Sequence, residues 1–261
     1  MEFELELNDK VIIKSDIDKI VYVIDKIIEN KIYIKGLNYR LRKIVNADEI
    51  KKATYEEIQL EENKCKKYFI NVTSKGVRQS KRYILGKILH IDGDDTYLSK
   101  CLELYKALGV FAYGAMIKED EMPDKIVNLI YEVNPDIIVI TGHDLYNGKG
   151  KKDLNNYSNT KYFIKTIKEI RKIKSDYCCS IIAGACQSNF EALIASGANF
   201  ASSPGRINVH TFDPAVLAIR IASTSFLKIV SLDDALKFIE NGRRAFGGIE
   251  TLGKMRLMLW E

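Results

Sequence analysis

The feature that most constrains this chain is a change of pattern at Tyr83, after which short apolar runs alternate with helix-period segments almost to the C-terminus. Runs such as Ile137–Thr141 (IIVIT) and Ser180–Ala185 (SIIAGA) are too short for core helices and lack the alternation of a half-solvated strand. β-Branched runs of that length read as strands buried on both faces, and strands alternating with amphipathic helices imply a mainly parallel sheet with helices on both sides. The expected strands are Ile84–Ile91, Val110–Ala115, Ile137–Thr141, Ser180–Ala185 and Asn199–Ala201, with a further short one at Lys228–Val230. The expected helices are Tyr97–Leu108, Asp124–Val133, Lys161–Ile173, Asn189–Ser196 and Asp213–Ala222. Pro123 stands where a first-turn proline belongs, and Gly109 and Gly197 stand where helices stop. The fold class is therefore α/β, a three-layer sandwich.

The first 62 residues read differently. Lys10–Lys14, Ile20–Ile24 and Lys31–Lys35 are short β-branched runs separated by turn residues, which suggests a small antiparallel barrel or curled sheet. Ala47–Ala53 reads as a helical turn or short helix. The polar, basic stretch that follows carries Lys64, Lys66, Lys67, Lys75, Arg78, Lys81 and Arg82 and reads as a solvated linker over 63–82, leading into the α/β domain of 83–261. Without aromatic residues interleaved among these cations, nucleic acid is not an expected partner.

Composition narrows the setting. Hydrophobic residues make up 46% of the 261, enough for a packed core, and the 40 basic and 35 acidic residues leave a net charge of only +5. No apolar run approaches the roughly 20 residues needed to cross a bilayer, and the acidic start MEFELELNDK is not a secretory leader, so no membrane partner is expected. The five cysteines (Cys65, Cys101, Cys178, Cys179 and Cys186) have no metal-ligand spacing, which fits free thiols in a reducing compartment.

Two of the apolar runs end on reactive residues. Ile137–Asp144 (IIVITGHD) delivers His143 and Ile181–Ser188 (IIAGACQS) delivers Cys186. In open α/β sheets chemistry collects beyond the carboxyl ends of the strands. Neighbouring strands would bring these two residues to one edge as a nucleophile and its base. Small residues before Cys186, and a helix start behind it, would favour thiolate and offer N–H groups to an oxyanion. Cysteines are also common in cores, so Cys186 alone decides nothing. His210 is placed to line the same edge, whereas His90 lies inside a strand. Asp92 and Asp94 follow the first strand of the domain at that edge, and Asp144 follows His143.

Order and interval discriminate among thiol enzymes. The histidine precedes the cysteine, as in caspase-like enzymes, where about 50 residues separate them and each follows a strand. Papain-like enzymes and glutamine amidotransferases have the opposite order. The chain resembles the caspase, clostripain and gingipain pattern, with Asp144 in place of the usual glycine and Gln187-Ser188 in place of the caspase signature.

A closer resemblance covers most of the chain. HIDGDDTYL (His90–Leu98), TGHD (Thr141–Asp144), DLNNYSNTKYF (Asp153–Phe163), AGACQSNFEALIASGANFASSP (Ala183–Pro204) and FGGIETLGKMRL (Phe246–Leu257) are similar to the YabG family of sporulation proteases. That resemblance implies a cofactor-free cysteine endopeptidase cutting after arginine in spore-coat and related sporulation proteins. It implies the mother-cell cytoplasm and the spore coat as locations, and His143 and Cys186 as the catalytic pair. Backbone at Gly142, His143 and Cys186 would form the oxyanion hole. Arginine preference demands a carboxylate for a guanidinium. Asp92 is the first expectation and Asp94 the second, with Asp144 and His210 as accessory residues. Arg78 and Arg82 are candidate self-cleavage points. The alternatives are a non-catalytic spore-coat scaffold or another α/β thiol hydrolase of amidotransferase type.

Overall fold

The computed structural model describes residues 5–74 and 83–258. Strands β1 (Lys10–Ile13), β2 (Tyr22–Ile28), β3 (Lys31–Gly36), β4 (Arg42–Val45) and β5 (Ile50–Lys52) form one antiparallel sheet in the order β4-β3-β2-β1-β5. Of Ala47–Ala53, expected as a helical turn or short helix, Ala47–Glu49 makes a single 3-10 turn, closed by a capping box between Asn46 and Glu49, and the rest leaves the helical path. Ile50 is then buried, and β5 pairs antiparallel with β1.

Helix α1 (Tyr55–Ser74) runs across the expected boundary at residues 62 and 63. The backbone N–H of Glu57 donates to the Thr54 hydroxyl and that of Thr54 to the Glu57 carboxylate, reciprocal bonds that start the helix. Residues 63–74, expected as linker, are helical because Cys65, Tyr68, Phe69 and Val72 fall at i, i+3, i+4 and i+7 and pack on the core. The Tyr68 hydroxyl anchors the helix by donating to the Asp213 carboxylate at 2.7 Å and to the Phe238 carbonyl. Arg78 and Arg82 lie outside the described residues.

The strand–helix alternation follows. After β6 (Tyr83–Ile84) come β7 (Ile88–Asp92), α2 (Asp95–Ala107), β8 (Ala112–Met116), α3 (Met122–Val133), β9 (Ile137–Thr141), α4 (Thr160–Ile173), β10 (Ser180–Ala183), α5 (Phe190–Ala195), β11 (Phe200–Ser202) and α6 (Asp213–Ala222). The chain ends with β12 (Ile229–Val230), α7 (Leu232–Leu236), β13 (Phe246–Gly248), β14 (Thr251–Leu252) and β15 (Arg256–Leu257). The central sheet has six strands in the order β13-β11-β10-β9-β7-β8, all parallel except β13.

Every residue of β7, β9 and β10 is buried. Their side chains alternate between two cores. Ile88, Ile137, Val139 and Ile182 face α2 and α6, and Leu89, Ile91, Ile138, Ile140 and Ile181 face α3, α4 and α5. Buried residues of the N-terminal sheet, among them Tyr22, Ile24 and Ile34, belong to the first of these cores. The N-terminal sheet thus shares apolar packing with one layer of the α/β unit.

Strand order fixes where chemistry can sit. β7 continues into β8 on one side of the sheet and β9 into β10 on the other, so the direction of winding reverses between β7 and β9. Helix connections diverge at such a point and leave a crevice beyond the strand ends. The register pairs Asp92 with Thr141, so Gly93–Asp94 and Gly142–His143 leave the sheet side by side.

Candidate functional site

Three segments meet at this crevice: the turn after β7, the loop after β9 and the turn after β10. Asp94 is the N-cap of α2, its Oδ1 accepting from the backbone N–H groups of Thr96 and Tyr97. Its Oδ2 faces His143 Nε2 at 3.1 Å and accepts from Lys35 of β3 at 3.0 Å. Burial would raise the Asp94 carboxyl, but the bond to His143 and the Lys35 charge hold it well below the usual carboxylate range. His143 is only 3% exposed, and burial lowers its imidazole pKa against the opposing influence of Asp94. Its Nδ1 is buried and has no hydrogen-bond partner among the described residues.

Cys186 lies in the turn after β10, the strand next to β9. Gly184 makes that turn at φ +109, a backbone conformation L side chains rarely adopt, and a Cβ there would sit 2.3 Å from Ser202 Oγ. The thiol is fully buried, and its sulfur accepts from the Val209 N–H at 3.1 Å. Burial pushes the thiol up to about 12, outweighing the Val209 N–H that favours thiolate. The helix behind it brings no thiolate: α5 begins at Phe190, and its Asn189 cap spends its side chain on the Ala192 N–H. No hydrogen bond joins His143 to Cys186 among the described residues. Tyr97 neighbours both. Its ring centroid is 5.4 Å from that of His143, and the sulfur of Cys186 is close enough to help raise the tyrosine pKa, after burial and the Asp94 charge.

The remaining expected residues take varied places. Asp92 is fully buried and already holds a guanidinium, that of Arg40, at 2.5 Å. Its other bonds come from the Asp94 N–H and the Thr141 hydroxyl. Burial alone would raise Asp92, but Arg40 holds it down to about 2. Neither Asp92 nor Asp94 therefore presents an open carboxylate to a substrate arginine. His210 packs among Tyr39, Tyr68 and Phe212, away from the His143 crevice, and burial pushes its imidazole down to about 3. The His143 N–H donates to Glu119 Oε1 at 2.8 Å, so this expected oxyanion donor is engaged. Glu119 lies so close over Gly142 that a Cβ there would meet its carboxylate at 2.5 Å.

Asp144 is a brace. Its carboxylate accepts from Ser188 Oγ at 3.0 Å, the Asn159 N–H at 2.8 Å and the Thr160 hydroxyl, while Ser188 Oγ in turn accepts from the Ala185 N–H. Gln187 Oε1 accepts from the Tyr146 N–H at 3.2 Å. The residues that depart from the caspase pattern thus bond the loop after β9 to the turn after β10. A cleft of about 190 Å³ opens beside His143, lined by Asp25, Tyr33, Arg42 and Ile44 of the N-terminal sheet and by Asp144, Leu145, Ser158 and Asn159. Sequence reasoning missed this contribution of the N-terminal sheet, and also Lys35, Arg40, Tyr97 and Glu119. Among the described residues no group of three or more His, Cys, Asp and Glu is arranged to hold a metal ion, and no helix is long and apolar enough to cross a membrane.

Comparison with known proteins adds to this geometry. The profile of the family described as YabG peptidase U57 matches residues 6–259, nearly the whole chain. The chain belongs to that family. Over 175 residues it is 45% identical to the sporulation-specific protease YabG of Bacillus subtilis (strain 168), an alignment covering 66% of this chain. The chain spans 60% of the length of that relative. No solved structure matches it.

Proposed function

We propose that the chain is a cysteine endopeptidase in which Cys186 attacks the scissile carbonyl and His143 moves the proton. The observation that carries this reading is the His143 imidazole at the switch point of the sheet. Its Nε2 is committed to a carboxylate, and its Nδ1 has no partner among the described residues, just beyond the strand next to the one that leads to Cys186. A buried acceptor left without a donor is costly and calls for a functional explanation. A proton taken from the thiol supplies one.

The steps follow from general chemistry. Cys186 loses its proton to Nδ1 and its sulfur bonds to the substrate carbonyl carbon. Collapse of the tetrahedral intermediate breaks the C–N bond, and Nδ1–H protonates the departing amine. Water then hydrolyses the thioester. Backbone N–H groups at Gly142 and Cys186 are the oxyanion donors in this reading, and that of His143 joins them by exchanging Glu119. The resting thiol is buried and neutral, so substrate must draw it out, consistent with the looseness of catalytic contacts in many unliganded enzymes. Neighbouring His- and Cys-bearing strands in this order support a caspase-like fold assignment.

Family membership supports sporulation proteins as substrates, while spore-coat substrates and the mother cell and coat as locations rest on the resemblance alone. Arginine preference rests on the resemblance. Because Asp92 and Asp94 are engaged, the carboxylate a substrate arginine reaches most directly is Asp25. It lines the cleft, is 36% exposed at its side chain, and its cations stand off, Arg42 at 3.5 Å and Lys35 at 4.0 Å. The opposite residue order weighs against an amidotransferase, and a coat scaffold would have no use for the His143 geometry. The test is cleavage of an arginyl peptide by the wild type and by Cys186→Ala. The variant is expected to lose cleavage by at least a thousandfold; equal rates would refute the nucleophile.

A further inference from the structure

We propose that Asp94 is the positioning residue of His143, setting the imidazole tautomer that leaves Nδ1 as the base. This rests on the proposed peptidase reading of the Cys186–His143 pair and adds a third member to it. The two oxygens of Asp94 divide the work. Oδ1 is locked into the start of α2 by the N–H groups of Thr96 and Tyr97. Oδ2 receives His143 Nε2 at 3.1 Å and Lys35 Nζ at 3.0 Å, with Arg42 at 3.7 Å.

An ionised carboxylate only accepts, so the neutral imidazole facing it carries its proton on Nε2 and its lone pair on Nδ1. A cap locks the rotamer of its residue, and a lysine from the opposing sheet keeps the acceptor ionised, so this carboxylate is oriented before substrate arrives. The Tyr97 ring packs beside the imidazole at 5.4 Å between centroids, its hydroxyl held by the carbonyls of Gly36 and Tyr39. When Nδ1 takes the thiol proton, Nε2–H stays on Asp94, and the carboxylate stabilises the imidazolium without itself being protonated. The N-terminal sheet, through Lys35 and Arg42, is then part of the catalytic apparatus.

The test uses Asp94→Asn, which keeps an oxygen for the α2 cap but can turn N–H groups toward Nε2. The proton on His143 is then expected to move to Nδ1, the wrong tautomer for a base. Long-range 1H–15N spectra of the full-length protein at neutral pH read this directly: Nε2–H in the wild type, Nδ1–H in the variant. With an arginyl peptide, kcat should fall by about a hundredfold or more with little change in KM, and the acid limb of the pH profile should move to lower pH. Asp94→Ser retains a capping oxygen, cannot reach His143, and should lose kcat to a similar degree while its circular dichroism at the assay temperature stays that of the folded wild type. Wild-type kcat together with an unmoved tautomer in Asp94→Asn would overturn the proposal. Cys186→Ala and His143→Ala run beside these variants. If they cleave normally, the peptidase assignment of the pair fails, while the spectrum still decides whether Asp94 sets the tautomer.

Discussion

Arg40 offers the sharpest test of how the N-terminal sheet is joined to the α/β unit. The residue reaches from the loop between β3 and β4 to the end of β7 and is fully buried. Its NH1 meets Asp92 at 2.5 Å and its NH2 meets the Thr211 carbonyl at 3.4 Å. Arg40→Met keeps much of the stem and removes the charge. Asp92 is then a buried carboxylate held by the Asp94 N–H and the Thr141 hydroxyl, with His90 Nε2 3.7 Å away. Breaking a buried pair on one side costs about 3–5 kcal/mol, which for a chain of this size lowers the thermal midpoint by on the order of 10 °C. The sign with pH also follows. In the wild type Asp92 is held near 2, below its unfolded value, so its contribution is present above pH 4 and lost as pH falls toward 2. Without Arg40, burial is opposed only by His90 and these two donors among the described residues, so ionised Asp92 loses most of its support and the destabilisation grows as pH rises. Adding Asp92→Asn removes the unpaired charge, so the double variant should be more stable than Arg40→Met alone and lose the extra pH slope. Thermal midpoints and urea midpoints followed by circular dichroism at pH 5 and 7.5 check this. The reasoning fails if Arg40→Met unfolds within 2 °C of the wild type, or if the double variant is no more stable than the single.

Two further outcomes follow from particular residues. Gly184→Ala should cost about 1–3 kcal/mol from backbone strain alone and displace the Cys186 turn, since φ is +109 and the added carbon meets Ser202 Oγ; a thermal midpoint equal to the wild type would count against this. Burial raises Asp213 to about 8, with the Tyr68 hydroxyl opposing, so the folded protein binds a proton that the unfolded chain releases. Stability contributed by this group therefore falls as pH rises from about 4 to about 8. Asp213→Asn should reduce the stability difference between pH 5 and 7.5 by roughly 3 kcal/mol, whatever constant offset the amide brings. Parallel curves for variant and wild type would show that Asp213 is ionised when folded.

Much of the central unit could be read in the sequence because fully buried parallel strands leave an unmistakable record. Ile137–Thr141 was legible to the residue and α6 matched at both ends, as their apolar runs admit few other readings. Helix α1 was legible only in part. Its stripe of Cys65, Tyr68, Phe69 and Val72 is present, but of its 20 residues only Glu61 is fully buried, and the basic exterior masks the period. At the site, the edge that carries His143 and Cys186 was legible from strand ends alone. The use of each carboxylate was not, because it depends on which cation arrives from the distant N-terminal sheet. Asp92 receives Arg40, and Asp94 receives His143 and Lys35. Asp144 and Ser188 looked like separate departures from a pattern, and only the pairing of β9 with β10 reveals them as partners.

The hydrogen bonds of Val209 carry a consequence of their own. Its N–H is spent on the Cys186 sulfur at 3.1 Å and its carbonyl receives the Arg40 N–H at 3.1 Å. One peptide segment therefore connects Cys186, the proposed nucleophile, to the loop between β3 and β4. Any substrate that engages only a withdrawn thiol must break the first of these bonds, and the free energy of doing so is shared with the second. By linkage, the factor by which sheet docking weakens substrate engagement equals the factor by which substrate loosens the docking. In the proposed peptidase, withdrawal of the thiol and the seating of Arg40 are then read out by the same residue, Val209.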